Sequence, residues 1–65
     1  MIAEKVVSER VKKNGITVAE LSRRTNMNPE LLRRSLSGIR PLKADELVSL
    51  CQELELGISD FEVAV

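Results

Sequence analysis

Four side chains that can hydrogen-bond to another molecule stand close together in the segment NMNPELLRRSLSG, residues 26–38. Asn28 can cap a helix there, Pro29 suits the first helical position, and Gly38 can end it. At about 100° per residue, such a helix turns one side inward, with Leu31, Leu32, Ser35 and Leu36, and the other outward, with Glu30, Arg33, Arg34 and Ser37. In a major groove, arginine can pair with guanine and glutamate can accept from cytosine. The outward side is therefore a candidate reader of bases.

The same outward side also has a purely structural interpretation. Glu30 precedes Arg33 by three residues and Arg34 by four. Ion pairs at these spacings stabilise an exposed helix by a few tenths of a kcal/mol without binding anything else. The segment alone does not separate the two interpretations.

The residues that precede this segment favour the base-reading interpretation. Thr17 and Glu20 form the T-x-x-E pattern of a capping box, Ile16 and Leu21 match a hydrophobic staple, and the helix that begins at Val18 ends near Asn26. Two short helices joined by a tight turn, the second with polar side chains outward, are typical of a helix-turn-helix, here over about residues 17–37.

Helix signals continue along the rest of the chain and predict an all-α protein of five helices. The first helix is expected from about Ala3 to Lys13, stopped at Asn14-Gly15, and the fourth from about Lys43 to Leu54, ended by Gly57. A second capping-box pattern at Ser59 and Glu62, with a possible staple between Ile58 and Val63, predicts that the last helix begins at Asp60.

Length and composition exclude several classes of protein. A chain of 65 residues forms one small domain, and it has no long apolar run and no signal peptide, which predicts a cytoplasmic protein that does not enter a membrane. Lone Cys51 should pack as a small hydrophobe. Without histidine, C-x-x-C pair or glycine-rich phosphate loop, the sequence indicates neither an enzyme nor a metal, cofactor or small-molecule site.

Charge is distributed unevenly although the net formal charge is zero. Residues 1–43 hold all ten basic residues and four acidic ones, a formal charge of +6, and residues 44–65 hold six acidic residues and no basic one. Such a chain can present a basic surface to a polyanion while its acidic end stays away from it. Simple solvation of helix faces explains the charges equally well.

Residues 17–38, TVAELSRRTNMNPELLRRSLSG, resemble the helix-turn-helix of the phage Cro and repressor family, also called the xenobiotic-response-element family of bacterial regulators. AELS is similar to the family's A-E-L-A, LRRSLSG to its L-x-x-A-L-S-G version, and ELVSLCQELELGISDFE to its L-x-x-I-A-x-A-L-G-V-S segment. The resemblance covers residues 3–63. It implies a compact five-helix, lambda-repressor-like domain that binds double-stranded DNA, usually as a homodimer on a pseudo-palindromic operator.

The resemblance also implies roles for individual residues. Base reading falls to Glu30 and Arg34, with Arg33, Ser37 and Pro29 beside them. The candidates for phosphate binding are Thr17, Val18, Asn28, Arg40 and Lys43, with Arg23, Arg24, Lys12 and Lys13 as weaker ones. Many members carry glutamine at the first position of each motif helix, where this chain has Val18 and Pro29. Those two can touch only each other or a thymine methyl group, so backbone N–H groups near Val18 are the alternative phosphate donors.

Apolar residues near the C-terminus suggest where a homodimer would form. They are Leu56, Ile58, Phe61, Val63 and Val65. Completing the monomer's own core explains them equally well. Two other functional interpretations stay open: a protein-binding module with the same fold, such as an antitoxin-like protein or an anti-regulator, and the DNA-binding part of a longer repressor.

Overall fold

The computed structural model describes residues 2–62, and this part of the chain contains five α-helices and no strand. They are α1 (Ile2–Asn14), α2 (Val18–Thr25), α3 (Pro29–Leu36), α4 (Ala44–Leu54) and α5 (Ile58–Glu62). The predicted all-α class is confirmed, and the first four helices lie within one or two residues of their predicted bounds. None of the described helices is long and apolar enough to cross a membrane.

A small core holds the helices together. Helix α1 packs against α3, α4 and α5, and α2 packs against α3 and α4. The buried apolar residues come from the first four helices: Val7, Val11, Leu21, Leu32, Leu50 and Leu54. The two helices of the motif thus each give one fully buried leucine to the same cluster, Leu21 and Leu32.

Local capping explains why the two motif helices begin and end where they do. Thr17 Oγ1 accepts the N–H of Glu20 at 3.1 Å, and Asn28 Oδ1 accepts the N–H groups of Glu30 and Leu31 at 2.9 and 3.2 Å. Between the helices Asn26 has φ 58° and ψ 33°, the left-handed conformation that Asn tolerates better than most residues. The predicted caps and turn are confirmed.

Two details of the predicted motif are wrong. In the structure the Glu20 carboxylate does not complete the capping box but pairs with Arg23 and Arg24. Leu31, predicted to face inward, is exposed. Its position on the helix lies next to that of Arg34, at the edge of the inward side, so only Leu32 and Ser35 are fully buried.

The end of α4 and the start of α5 also differ from expectation. Glu55, and not Gly57, takes the left-handed conformation after α4, with φ 57°. Helix α5 begins at Ile58 rather than Asp60, because Asp60 Oδ2 accepts the N–H of Gly57 at 2.8 Å and so caps an earlier first turn. Val63 lies outside the described residues, so the staple with Ile58 stays a prediction.

Two polar side chains of α1, Arg10 and Glu4, fasten it to the rest of the domain. Arg10 donates to the carbonyl of Leu54 at 2.9 Å and to Asp60 Oδ1 at 3.0 Å, which joins the end of α4 to α5. Glu4, which is buried, accepts the N–H of Leu42 at 2.6 Å in the loop before α4. This hydrogen bond holds the pKa of the Glu4 carboxyl below its ordinary value.

Glu4→Gln should lower the free energy of unfolding at pH 7 by about 1–2 kcal/mol, because a neutral acceptor replaces a buried carboxylate. The folded-state pKa of Glu4 is depressed, so its contribution is present above the unfolded-state pKa and is lost as the pH falls through the folded-state value. Urea unfolding followed by circular dichroism should therefore show a gap between variant and wild type that narrows below about pH 4. Glu9→Gln, an exposed change on the same helix, is the control, and a gap that stays constant with pH would contradict the assignment.

Candidate nucleic-acid interface

Helix α3 is oriented by what it buries. Leu32 and Ser35 are fully buried, and Leu32 belongs to the core cluster. The opposite side of α3 consequently faces solvent, and it carries the predicted base readers Pro29, Glu30, Arg33, Arg34 and, just past the last turn, Ser37. The structure therefore brings all five together on one exposed surface, which we call the α3 face.

The charged groups of the α3 face contact one another. Glu30 Oε1 pairs with Arg33 Nη1, and Glu30 Oε2 lies 3.7 Å from Arg34 Nε. All three side chains are more than half exposed. One carboxylate thus holds two guanidinium groups side by side, and because such exposed pairs are weak, both arginines remain available to a stronger acceptor.

The same arrangement occurs on α2. Glu20 contacts Arg23 and, at 2.9 Å, Arg24 Nε, and these two hydrogen bonds hold the pKa of Glu20 below its ordinary value, the bond from Arg24 contributing most. Arg24 also lies 3.5 Å from Glu53 of α4, so this cluster braces one helix against another. Both helices carry the pattern E-L-x-R-R, at residues 20–24 and 30–34. The repeat is visible in the sequence, but it was not used in predicting the site.

Three of the predicted phosphate-binding residues lie at helix starts. Thr17 and Asn28 are exposed, and each uses a side-chain oxygen to cap its own helix. The Thr17 hydroxyl hydrogen and the Asn28 NH2 group are still able to donate. Val18 is partly buried against the core, so it can offer only its backbone N–H.

Arg40 has a different environment from the one predicted. Its Nη1 donates to Ser35 Oγ at 3.0 Å and to Glu46 Oε1 at 3.1 Å, and its Nη2 donates to Glu46 Oε2 at 3.0 Å. The Arg40 and Glu46 side chains are only 19% and 17% exposed, and Arg40 holds the pKa of Glu46 below its ordinary value. Arg40 therefore fastens the loop after α3 to the start of α4 and has little freedom to reach a phosphate. Exposed Lys43, at the N-cap of α4, keeps its side chain available.

Three of the predicted dimer residues, Leu56, Ile58 and Phe61, line an apolar groove between α4 and α5. The groove encloses about 360 Å³, and its apolar walls come from Leu47, Val48, Cys51, Leu56, Ile58 and Phe61. Leu56 and Phe61 are partly buried, whereas Ile58 is 81% exposed. Burial raises the pKa of the Cys51 thiol, as expected for a packed cysteine. Val63 and Val65 lie outside the described residues.

A comparison with protein families matches residues 7–65 to the Cro/C1-type HTH DNA-binding domain. The chain belongs to this family. Its α2 and α3 are accordingly the two helices of the Cro/C1-type motif, as the resemblance of residues 17–38 implied. Comparisons with curated proteins and with solved structures gave no significant match.

Within residues 2–62, no three metal-ligating side chains come together.

Arg40→Ala should lower the free energy of unfolding by about 2 kcal/mol, because the buried Ser35 hydroxyl and the Glu46 carboxylate lose the guanidinium group, although Glu46 still accepts the N–H of Lys43. Lys43→Ala, an exposed loss of the same charge, should change it by less than about 0.5 kcal/mol. Urea denaturation of the two variants measures the difference. Equal stabilities would show that Arg40 does not fasten the loop.

Proposed function

We propose that this protein is a transcriptional repressor, of the small Cro-like kind found in phages, prophages and bacteria, that binds a pseudo-palindromic operator as a homodimer. The observation that carries the proposal is the α3 face, which presents two arginines, a glutamate and a serine on a helix pinned from behind by Leu32. A protein with this role works in the cytoplasm. We assign it no catalytic role, since the sequence contains no histidine, no C-x-x-C pair and no glycine-rich phosphate loop.

Within the α3 face we assign base reading to Arg33 and Arg34, with Glu30, Ser37 and Pro29 beside them. Both guanidinium groups are held by a single exposed carboxylate, so they can exchange it for guanine O6 and N7. Phosphate binding falls to residues around this face: Thr17, Val18 through its N–H, Arg23, Asn28 and Lys43. Arg24 and Arg40 support the structure instead, because each is tied to a carboxylate of α4.

Selection from a pool of randomised duplexes tests the proposal. The purified chain is incubated with the pool at about 150 mM salt, where non-specific binding through charge is weak. Enrichment of an inverted repeat with half-sites about one helical turn apart would support a dimeric operator-binding protein. No enrichment by a folded chain would contradict the proposal.

Replacing both Arg33 and Arg34 by alanine should weaken binding to the selected duplex at least about 30-fold, because each bidentate contact with guanine contributes about 1–3 kcal/mol and each 1.4 kcal/mol is about tenfold in affinity. Both side chains are exposed, so the stability of the fold should not change appreciably. Fluorescence anisotropy measures the binding, and Lys5→Ala, an exposed change on α1, is the control. Equal affinity of the double variant and this control would rule out the α3 face as the reader.

The homodimer contact is assigned to the groove between α4 and α5. A second copy is the occupant that a pseudo-palindromic operator requires, because two recognition helices must reach two half-sites together. Ile58 stands 81% exposed at the groove, far more than a side chain that completes the monomer's core. Exposed Glu55 and Glu62 directly neighbour the groove residues Leu56 and Phe61 in the sequence, so two copies meeting here would also bring acidic groups together.

Association in the absence of DNA should respond to salt in the direction opposite to DNA binding. Raising the salt screens the acidic groups and should strengthen the dimer, while it weakens contacts with phosphates. Sedimentation at micromolar concentration tests this, with Ile58→Gln expected to yield monomers. Ile39→Gln alters an isoleucine that is equally exposed, 77%, but lies outside the groove, and it should leave the dimer intact. A wild-type monomer at every salt concentration would contradict the assignment.

The groove also favours a second candidate function, a protein-binding module that holds a different chain there. Under that alternative the duplex selection fails, and Ile58→Gln abolishes capture of the partner while the Arg33 and Arg34 variants do not. The same variants therefore distinguish the two functions, because each function predicts a different variant to lose binding of its partner.

A further inference from the structure

The two E-L-x-R-R clusters of the motif differ in one respect. On α2 the cluster is anchored, because Arg24 also contacts Glu53 of α4, and the Glu20 side chain is only 32% exposed. On α3 the Glu30 side chain is 59% exposed, and it pairs with the two arginines of its own helix. The α3 cluster can open toward a ligand without disturbing the packing of helices.

We propose that Glu30 is a specificity-determining residue that opposes the binding of non-operator DNA by competing with phosphates for Arg33 and Arg34. This inference rests on the proposed function, since it assumes that the α3 face meets DNA. It gives Glu30 a role beyond that of a base reader.

Phosphate contacts and base contacts offer different partners to Glu30, Arg33 and Arg34. A phosphate gives each arginine an anionic oxygen much like the one that Glu30 already supplies, and it places a second negative charge near the displaced carboxylate. A G·C pair in the major groove offers guanine O6 and N7 to an arginine and the cytosine N4 amino group to the glutamate. Base contacts can thus satisfy Glu30 together with the arginines, whereas backbone contacts satisfy the arginines alone.

Neutralising Glu30 should therefore raise the affinity for non-operator DNA more than the affinity for operator DNA. In Glu30→Gln the side chain keeps its size but loses its charge, and both arginines become free to bind phosphates. Affinity for a duplex of arbitrary sequence should rise about tenfold, and the plot of log affinity against log salt should become steeper by about one phosphate equivalent. The ratio of operator to non-operator affinity should fall.

Two variants control for charge and for chemistry. Glu9→Gln removes one exposed negative charge from α1, away from the motif, and should change non-operator affinity less than about twofold. Glu20→Gln opens the equivalent cluster on α2, where Arg24 is still held by Glu53, so it releases one arginine, Arg23, and should have a smaller effect than Glu30→Gln, which releases two. Urea unfolding confirms that each variant is folded.

Titration of a fluorescent non-operator duplex at several salt concentrations decides the matter. A larger gain in affinity and in salt sensitivity for Glu30→Gln than for either control variant supports the inference. An affinity and salt slope like those of Glu9→Gln, or an equal rise in Glu20→Gln, would overturn it while leaving operator binding by the wild type, and hence the proposed function, intact. Failure of every variant to bind any duplex would overturn both.

Discussion

Burial of Leu21 and Leu32 in one cluster is the constraint from which the functional surface follows. These leucines join α2 and α3 to the same core, and each is fully buried. With Leu32 inward, helical geometry puts Arg33 and Arg34 outward, where both are more than half exposed. The position of the two arginines is therefore a consequence of packing, and a ligand does not have to be present to create the surface.

A core this small needs polar contacts to hold its connecting segments. Glu4 fixes the loop before α4 through Leu42, Arg40 fixes the loop after α3 through Ser35 and Glu46, and Arg10 fixes the end of α4. Some of the basic residues that suggest a DNA-binding surface in the sequence instead stabilise the fold, and Arg40 is an example.

Local signals predicted most of the fold. The caps at Thr17 and Asn28, the left-handed Asn26 and the spacing of buried leucines depend on neighbours within a few residues, so the sequence alone indicates them. The role of Arg40 depends on Glu46 lying beside it in space. The start of α5 depends on whether Asp60 or Glu62 caps the helix, and the local sequence pattern allowed either. For the α3 face the sequence predicted which residues lie outward, but only the structure distinguishes its open cluster from the anchored one on α2.

The most direct test of the claim that α3 enters DNA is an NMR titration of the arginine Nε–H groups with the selected duplex. If α3 enters DNA, the Nε–H signals of Arg33 and Arg34 should shift strongly, because both arginines exchange Glu30 for DNA. The signals of Arg10 and Arg40 should shift little, because both arginines keep their partners within the protein. Shifts confined to other arginines, with Arg33 and Arg34 unmoved in a saturated complex, would contradict it.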